Sequence, residues 1–235
     1  MTQTPLPTYE TVIAQLQALA NAENVAGQQR FAITGGIQLG VSLYDLRKLA
    51  KGVRSHELAA QLWASHIHEA RILAALVDDP AQVTLAQMEQ WAGEFESWDV
   101  CDEVTDELFI HTPFILQVIP AWAAREEEFV RRAAFASIAA LVVHRKDIPD
   151  ETVRTFFPLI EAAADDARNF VWKAVNWALR NTAKFRPELR AESVACAKRI
   201  LKRDIPAARK IARDALKEFE LKFGADFVAS VQEGV

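Results

Sequence analysis

Apolar residues recur along this chain at helical spacing, and segments with the alternating pattern of a half-buried strand are absent. Residues 133–143 contain no charged side chain, so we expect a helix there that is apolar on nearly all sides and lies inside the protein. The whole pattern predicts about ten to twelve helices of roughly 10 to 18 residues joined by short loops. This organisation indicates an all-α fold built of stacked antiparallel helix pairs.

Residues that commonly begin helices stand directly before several of these patterns. Ser42, Ser55 and Thr84 each precede one, and Pro149 and Pro187 mark two further starts. Helix hairpins are predicted over five stretches: 55–78, 84–109, 114–146, 150–184 and 187–221. The repeat is degenerate, and a solenoid of such hairpins is curved, with its concave surface as the usual binding face.

The composition indicates a single soluble domain. Of the 235 residues, 51% are hydrophobic and 25% charged, and no linker-like segment interrupts the chain, so we predict one domain over residues 1–235. The N-terminal stretch 1–9 is polar, and the longest uncharged run, 108–124, is shorter than the ~20 apolar residues of a membrane helix. Cys101 and Cys196 form no disulfide framework. We therefore expect a reduced, cytoplasmic protein that is a monomer and has no contact with membranes.

Charge is distributed unevenly along the chain. The net charge is −5, but residues 168–213 contain 13 Lys and Arg against 3 Asp and Glu. Such segregation is typical of a protein with one side that attracts a polyanion. The alternative is a set of solvated helix faces with no ligand.

The helix predicted around residue 100 has an apolar stripe and, on another face, a tryptophan and a carboxylate. Trp98 and Asp102 are four residues apart and therefore lie on the same side of the helix. A ring face and a negative charge both attract a cation, so the pair is a candidate recognition site for one. The alternatives are a partly buried tryptophan on an acidic surface helix and, less favoured, a metal site formed with Asp99 and Asp106.

The helix predicted over residues 169–184 has a basic side and a core side. Four residues fall within a narrow sector of its helical wheel: Lys173, Trp177, Arg180 and Lys184. The opposite side carries the expected core residues Val171, Val175, Ala178 and Leu179. An exposed aromatic among cations suits contact with a phosphate backbone and its sugars or bases. The alternative is a tryptophan packed under lysine stems.

Arg132 lies at the start of a predicted helix that is otherwise apolar, directly before the uncharged residues 133–143. Its face of that helix also carries Ala136, Ala139 and Val143, which leave room around the guanidinium. A guanidinium in that position could bind a phosphate through two hydrogen bonds, and the alternative is an arginine that reaches from the helix start to solvent.

Together these segments resemble the AlkD-like DNA alkylation-repair glycosylases, a family of HEAT-like helical repeats. The resemblance includes GVSLYDLRKLA at residues 40–50, LWAS at 62–65 and HEAR at 68–71, in addition to the segments above. It implies a HEAT-like solenoid of antiparallel helix pairs with a concave DNA-binding face.

The resemblance also implies roles for individual residues. The family's catalytic aspartate follows a tryptophan by four residues, which matches Asp102 and Trp98. Its phosphate-binding arginine precedes Ala-Ala, which matches Arg132, with Arg131 as a second candidate. Its second aromatic matches Trp177.

The reaction implied by the resemblance is excision of 3-methyladenine- and 7-methylguanine-like bases from double-stranded DNA, without a cofactor or metal. Asp102 would stabilise the sugar cation while Trp98 and Trp177 line the deoxyribose. Two other functions stay open at this point: a non-catalytic HEAT-like protein that binds distorted or branched DNA, and a helical-repeat scaffold for another protein.

Overall fold

The computed structural model of this chain describes residues 6–232, and residues 1–5 of the polar N-terminal stretch lie outside them. Within the described residues the fold is all-α, as predicted, and the β-type pairing there is an isolated parallel bridge between Ile37 and Ile67. Two compact units divide the chain, Met1–Pro113 and Phe114–Val235.

The first unit consists of short helices. They are α1 (Tyr9–Ala18), α2 (Ala22–Arg30), α3 (Leu43–Ala50), α4 (His56–Ala64), α5 (His68–Val77), α6 (Leu85–Gly93) and α7 (Trp98–Glu107), followed by the 3-10 turn Phe109–His111. The predicted starts at Ser42, Ser55 and Thr84 are confirmed, because each side-chain oxygen accepts a hydrogen bond from a backbone N–H in the first turn of its helix.

The core of the first unit combines stacked aromatic rings with buried charged groups. Trp63 and Trp91 are parallel with their ring centroids 4.1 Å apart, and the guanidinium of Arg71 lies 4.8 Å from the Trp63 ring. The predicted apolar stripe of α7 is buried, including Cys101. Four ionisable side chains are also buried in this unit: His68, Glu69, Arg71 and Asp78.

The second unit contains three long helices among shorter ones. Its helices are α8 (Ile115–Ala123), α9 (Glu128–His144), α10 (Asp150–Arg154), α11 (Phe157–Ala163), α12 (Asn169–Phe185), α13 (Arg190–Leu201), α14 (Pro206–Phe223) and α15 (Ala225–Ser230). The predicted helix start at Pro149 is confirmed by α10. Pro187 instead begins the 3-10 turn Pro187–Leu189, and the α-helix starts at Arg190.

Helix α9 is the buried centre of the second unit. Residues 133–142 are all buried, as their lack of charge predicts. Helix α12 packs against α9 on one side and α14 on another. Its predicted core residues are buried, which confirms the assignment of its two faces. Cys196 of α13 is buried as well.

Polar contacts in the second unit recur at a separation of 38 residues. Arg132 donates to the Phe170 carbonyl at 2.6 Å, and Arg199 donates to Glu161 at 2.6 Å. Other pairs with this separation are Arg154–Glu192, Arg203–Asp165, Asn176–Asp214 and Arg180–Glu218. A constant separation means that corresponding helices of successive layers run in the same direction and in register. The period is close to the ~40 residues of a HEAT repeat.

Candidate functional site

The first turn of α7 holds the predicted aromatic and carboxylate pair. Trp98 is half-buried, and its indole Nε1 donates a hydrogen bond of 2.9 Å to the carbonyl of Phe31. Asp102, one turn later, is also half-buried, and its own carbonyl accepts from the Thr105 hydroxyl at 2.9 Å. The indole is therefore fixed by a hydrogen bond to a neighbouring segment, and the carboxylate belongs to the same helix.

A hydrogen bond between a buried histidine and a half-buried aspartate attaches α7 to α5. His68 Nε2 lies 2.8 Å from Asp99 Oδ2. Burial pushes the pKa of Asp99 upward, but the hydrogen bond and charge of His68 outweigh it, so this pKa lies below its ordinary value. The sequence indicated Asp99 only as a possible metal ligand. Among residues 6–232 no cluster of three or more His, Cys, Asp or Glu is placed to hold a metal ion. The pair positions the start of α7, next to Trp98.

A buried carboxylate holds the loop that approaches α7. Glu69 is fully buried and accepts hydrogen bonds from the backbone N–H groups of Leu39, at 2.9 Å, and Gly40, at 2.6 Å. Gly40 has a φ of +74°, and a Cβ built there would lie 2.2 Å from the Asn21 carbonyl oxygen. Only glycine fits this turn, because both the backbone angle and the close approach exclude a side chain.

The carbonyl that receives the Trp98 indole lies at the other end of the same loop. Phe31 ends α2 with 70% of its surface exposed, and Ala32 after it has a φ of 60°. That left-handed conformation is strained for a residue with a Cβ. The hydrogen bond from Trp98 is therefore a contact that holds the chain at Phe31 in spite of the strain at Ala32.

Helix α7 is strongly acidic around Asp102. Burial raises the pKa of Glu103 to about 7; Arg47 acts in the opposite direction, and the charges of Glu107, Asp106 and Asp102 add to the rise. Arg47 bridges two of these acids, with its Nη2 2.8 Å from Glu107 and 3.4 Å from Glu103. A positive charge that develops near this helix is therefore attracted by several carboxylates.

The predicted basic face of α12 is only partly available. Lys173 is exposed and Trp177 is half-buried. Arg180 forms ion pairs with Glu218 and, at 3.2 Å, with Asp214, both on α14. Lys184 lies 3.4 Å from Glu218. The four residues share one side of α12 as predicted. Carboxylates of α14 neutralise the two near the C-terminal end of α12, Arg180 and Lys184.

Arg132 is buried, with 6% of its surface exposed, and one of its N–H groups donates to the Phe170 carbonyl. This bond joins the start of α9 to the start of α12. The alternative candidate, Arg131, is paired with Asp166 at 2.9 Å. Phosphate binding by Arg132 stays a prediction, and in this structure its side chain links two layers of the second unit.

A second aromatic and cationic cluster was missed by the sequence analysis. Lys210 of α14 places its Nζ 3.9 Å from the ring centroid of Trp172, and Lys173 Nζ lies 5.9 Å from the same centroid. A shallow groove of about 550 Å³ runs beside this cluster and is lined by Pro206, Arg209, Lys210, Arg213, Asp214 and Lys217. The available signal was the spacing of Lys210, Arg213 and Lys217, which places them on one side of a helix.

No helix within residues 6–232 is both long enough and apolar enough to cross a membrane. None of the curated proteins compared with the chain matches it. Among solved structures, the chain is similar to one described as belonging to "a new family of proteins related to the HEAT-like repeat DNA glycosylases with affinity for branched DNA structures".

That similarity has a TM-score of 0.75 at 20% sequence identity and covers 97% of this chain and 99% of the other. It establishes the HEAT-like repeat fold, as expected from the resemblance and from the 38-residue period. The family of DNA alkylation repair enzymes matches residues 12–219, which is most of the chain. The chain therefore belongs to the DNA alkylation repair enzyme family.

Proposed function

We propose that this protein is a DNA glycosylase that excises cationic N3- or N7-alkylated purines from double-stranded DNA. The observation that carries the proposal is the arrangement on α7, where an indole fixed by the Phe31 carbonyl precedes Asp102 by one turn of an acidic helix. Membership of the DNA alkylation repair enzyme family supports it.

The chemistry needs stabilisation of a sugar cation more than it needs an acid. The alkylated base carries a positive charge, and when the bond between C1′ and the base nitrogen breaks, its electron pair neutralises the departing base. The positive charge moves to the deoxyribose, where the Asp102 carboxylate stabilises it and Trp98 offers a ring face. Water, positioned by Asp102, then bonds to C1′ and loses its proton to bulk solvent, as a carboxylate positions water in glycoside hydrolysis.

Residues of the second unit would hold the DNA in this proposal. Trp177 serves as a second aromatic that contacts the DNA, and Arg132 binds a phosphate. Lys173, Arg180 and Lys184 contact the backbone, with Lys173 contributing most because α14 acids do not neutralise it. A cytoplasmic, monomeric protein stays our prediction.

The test is release of free base from duplex DNA that contains 7-methylguanine. We expect Asp102→Asn to lower the single-turnover excision rate by about 10² to 10³, because a preorganised charge at the sugar is lost. Its DNA affinity should stay within about twofold. Asp106→Asn is the matched control, since it removes the same charge from the next turn of α7. Equal rates for the Asp102 variant and the wild type would remove the catalytic assignment.

A second candidate is a non-catalytic protein that binds branched DNA, and the description of the similar solved structure favours it. In that case the wild type releases no base from the methylated duplex, and it binds a four-way junction more tightly than a linear duplex of the same length. Asp102→Asn would then have no effect in either assay.

A further inference from the structure

Most cations of the basic segment 168–213 are already neutralised within the second unit. Seven of them lie within 4 Å of a carboxylate: Arg168, Arg180, Lys184, Arg186, Arg199, Arg203 and Arg209. These residues stabilise contacts between layers, and their charge contributes little to the field outside the protein.

Four cations on α12 and α14 differ from these seven. Lys173 of α12 and Lys210, Arg213 and Lys217 of α14 are all exposed, and within residues 6–232 none of them has a carboxylate oxygen within 4 Å. We call these four residues, with Trp172 between the first two, the α14 surface. It therefore combines exposed positive charge with an aromatic ring.

Two of the cations on α14 lie close enough to repel each other. Arg213 and Lys217 are four residues apart on the same helix, a spacing at which like charges repel. An anion from outside the chain would relieve this repulsion.

Trp172 restricts one of these cations. Because Lys210 Nζ lies 3.9 Å from the Trp172 ring centroid, its ammonium group is held against the indole by a cation–π contact. Lys173 approaches the same ring at 5.9 Å. The two charges are therefore partly ordered before any ligand binds, which lowers the entropy cost of binding.

We propose that the α14 surface binds the phosphate backbone of a double-stranded DNA arm. Lys210 and Lys217 are seven residues apart, so they span about 10 Å along the helix, a distance over which one DNA strand presents about three phosphates. Three cations along an open groove suit such a row of phosphates better than a single small anion. This inference rests on the proposed function only in taking duplex DNA as the ligand.

The experiment measures the affinity for a short undamaged duplex as a function of salt. Each phosphate contact contributes about 0.9 to the slope of log K against log[salt], so Lys210→Gln/Arg213→Gln/Lys217→Gln should lower its magnitude by about 2.7. Single substitutions should each lower it by about 0.9. The affinity of the triple variant should fall at least about tenfold at ~0.1 M salt.

The matched control removes three cations that are paired: Arg154→Gln/Arg199→Gln/Arg203→Gln. It changes the net charge of the protein by the same amount, so we expect a slope within about 0.5 of the wild type. Thermal melts followed by circular dichroism identify any variant that fails to fold. The single Lys210→Gln variant then serves in place of the α14 triple, and the single Arg203→Gln variant, which removes one paired cation, in place of the control triple.

An unchanged slope in the α14 variants overturns the inference, and so does an equal decrease in both triple variants, which would indicate net charge alone. Because undamaged DNA is used, the inference stands if the wild type binds duplex but excises nothing. If excision proceeds normally and the α14 variants retain the wild-type slope, the inference is wrong and the proposed function is unaffected.

Discussion

The two units treat their ionisable side chains differently. The first buries acids and bases together, including His68, Glu69 and Asp78, and uses them to position loops and helix starts. In the described part of the second unit every acidic residue is at least partly exposed, and ion pairs join its layers at a 38-residue period. A single substitution should therefore have a large effect in the first unit, whereas the second distributes its stability over many equivalent contacts.

The largest expected effect tests how tightly the loop beside α7 is packed. Gly40→Ala combines a left-handed backbone with a contact of 2.2 Å to the Asn21 carbonyl. We expect it to lower the free energy of unfolding by about 3 kcal/mol or more, measured by urea denaturation followed by tryptophan fluorescence.

Gly52→Ala is the matched control, because Gly52 has a similar φ of +76° but open space around it. We expect a loss of only about 1 to 2 kcal/mol from backbone strain. Equal losses in the two variants would show that the approach to Asn21 is unimportant.

A smaller expected effect is the pH dependence of stability, which should differ between the two units. Glu103 of the first unit has a pKa raised to about 7, so the folded state binds its proton more tightly than the unfolded state does. Its contribution to stability is present at pH values below about 4.5 and is lost as the pH rises toward 7. Glu103→Gln should therefore be more stable than the wild type at pH 8, by about 1 kcal/mol after solvent screening, and lose this advantage near pH 4.

In the second unit, Asp166 should give a pH dependence of stability opposite to that of Glu103. Burial raises the pKa of Asp166, but hydrogen bonds from Arg168 and Arg131 outweigh this and lower it to about 2. Its contribution is present above the ordinary value of 3.8 and is lost as the pH falls toward 2. In thermal melts between about pH 4 and about pH 2, the Asp166→Asn variant should lose less stability than the wild type does. A variant that is more stable than the wild type at pH 8 would contradict the assignment.

The smallest expected effect concerns Trp172. Trp172→Leu removes the ring that orders Lys210 but leaves every charge in place, so we expect about 0.5 to 1 kcal/mol less stability. Duplex affinity should fall about two- to fivefold with an unchanged salt slope, because the number of phosphate contacts is the same. Trp172→Phe keeps a ring and should restore most of the affinity. A change in slope for the leucine variant would contradict this role.

Local pattern was sufficient to predict several helix starts and buried faces, but not the number of helices: ten to twelve were predicted, and the described residues form fifteen, eight of them shorter than ten residues. The caps at Ser42, Ser55 and Thr84 and the buried segment of α9 follow from residues close together in the sequence, because helix starts and helix faces depend on spacings of a few residues. The same spacing placed Trp98 and Asp102 on one helix.

The partners of the charged residues could not be predicted in this way. Arg180 and Lys184 were expected to form an available basic stripe, but Glu218, from the next layer, lies beside both of them. The pairing of Trp172 with Lys210 also joins different helices. A degenerate repeat hides the 38-residue register from the sequence, so contacts between layers became visible only in the structure.

The burial of both cysteines has a chemical consequence for a member of an alkylation repair family. Electrophiles that methylate DNA also attack thiolates, yet Cys101 and Cys196 are fully buried, and burial raises the pKa of Cys196 well above its ordinary value. A thiol-reactive dye should label neither cysteine in the native protein and both in urea. In the folded chain neither thiol is accessible to such electrophiles.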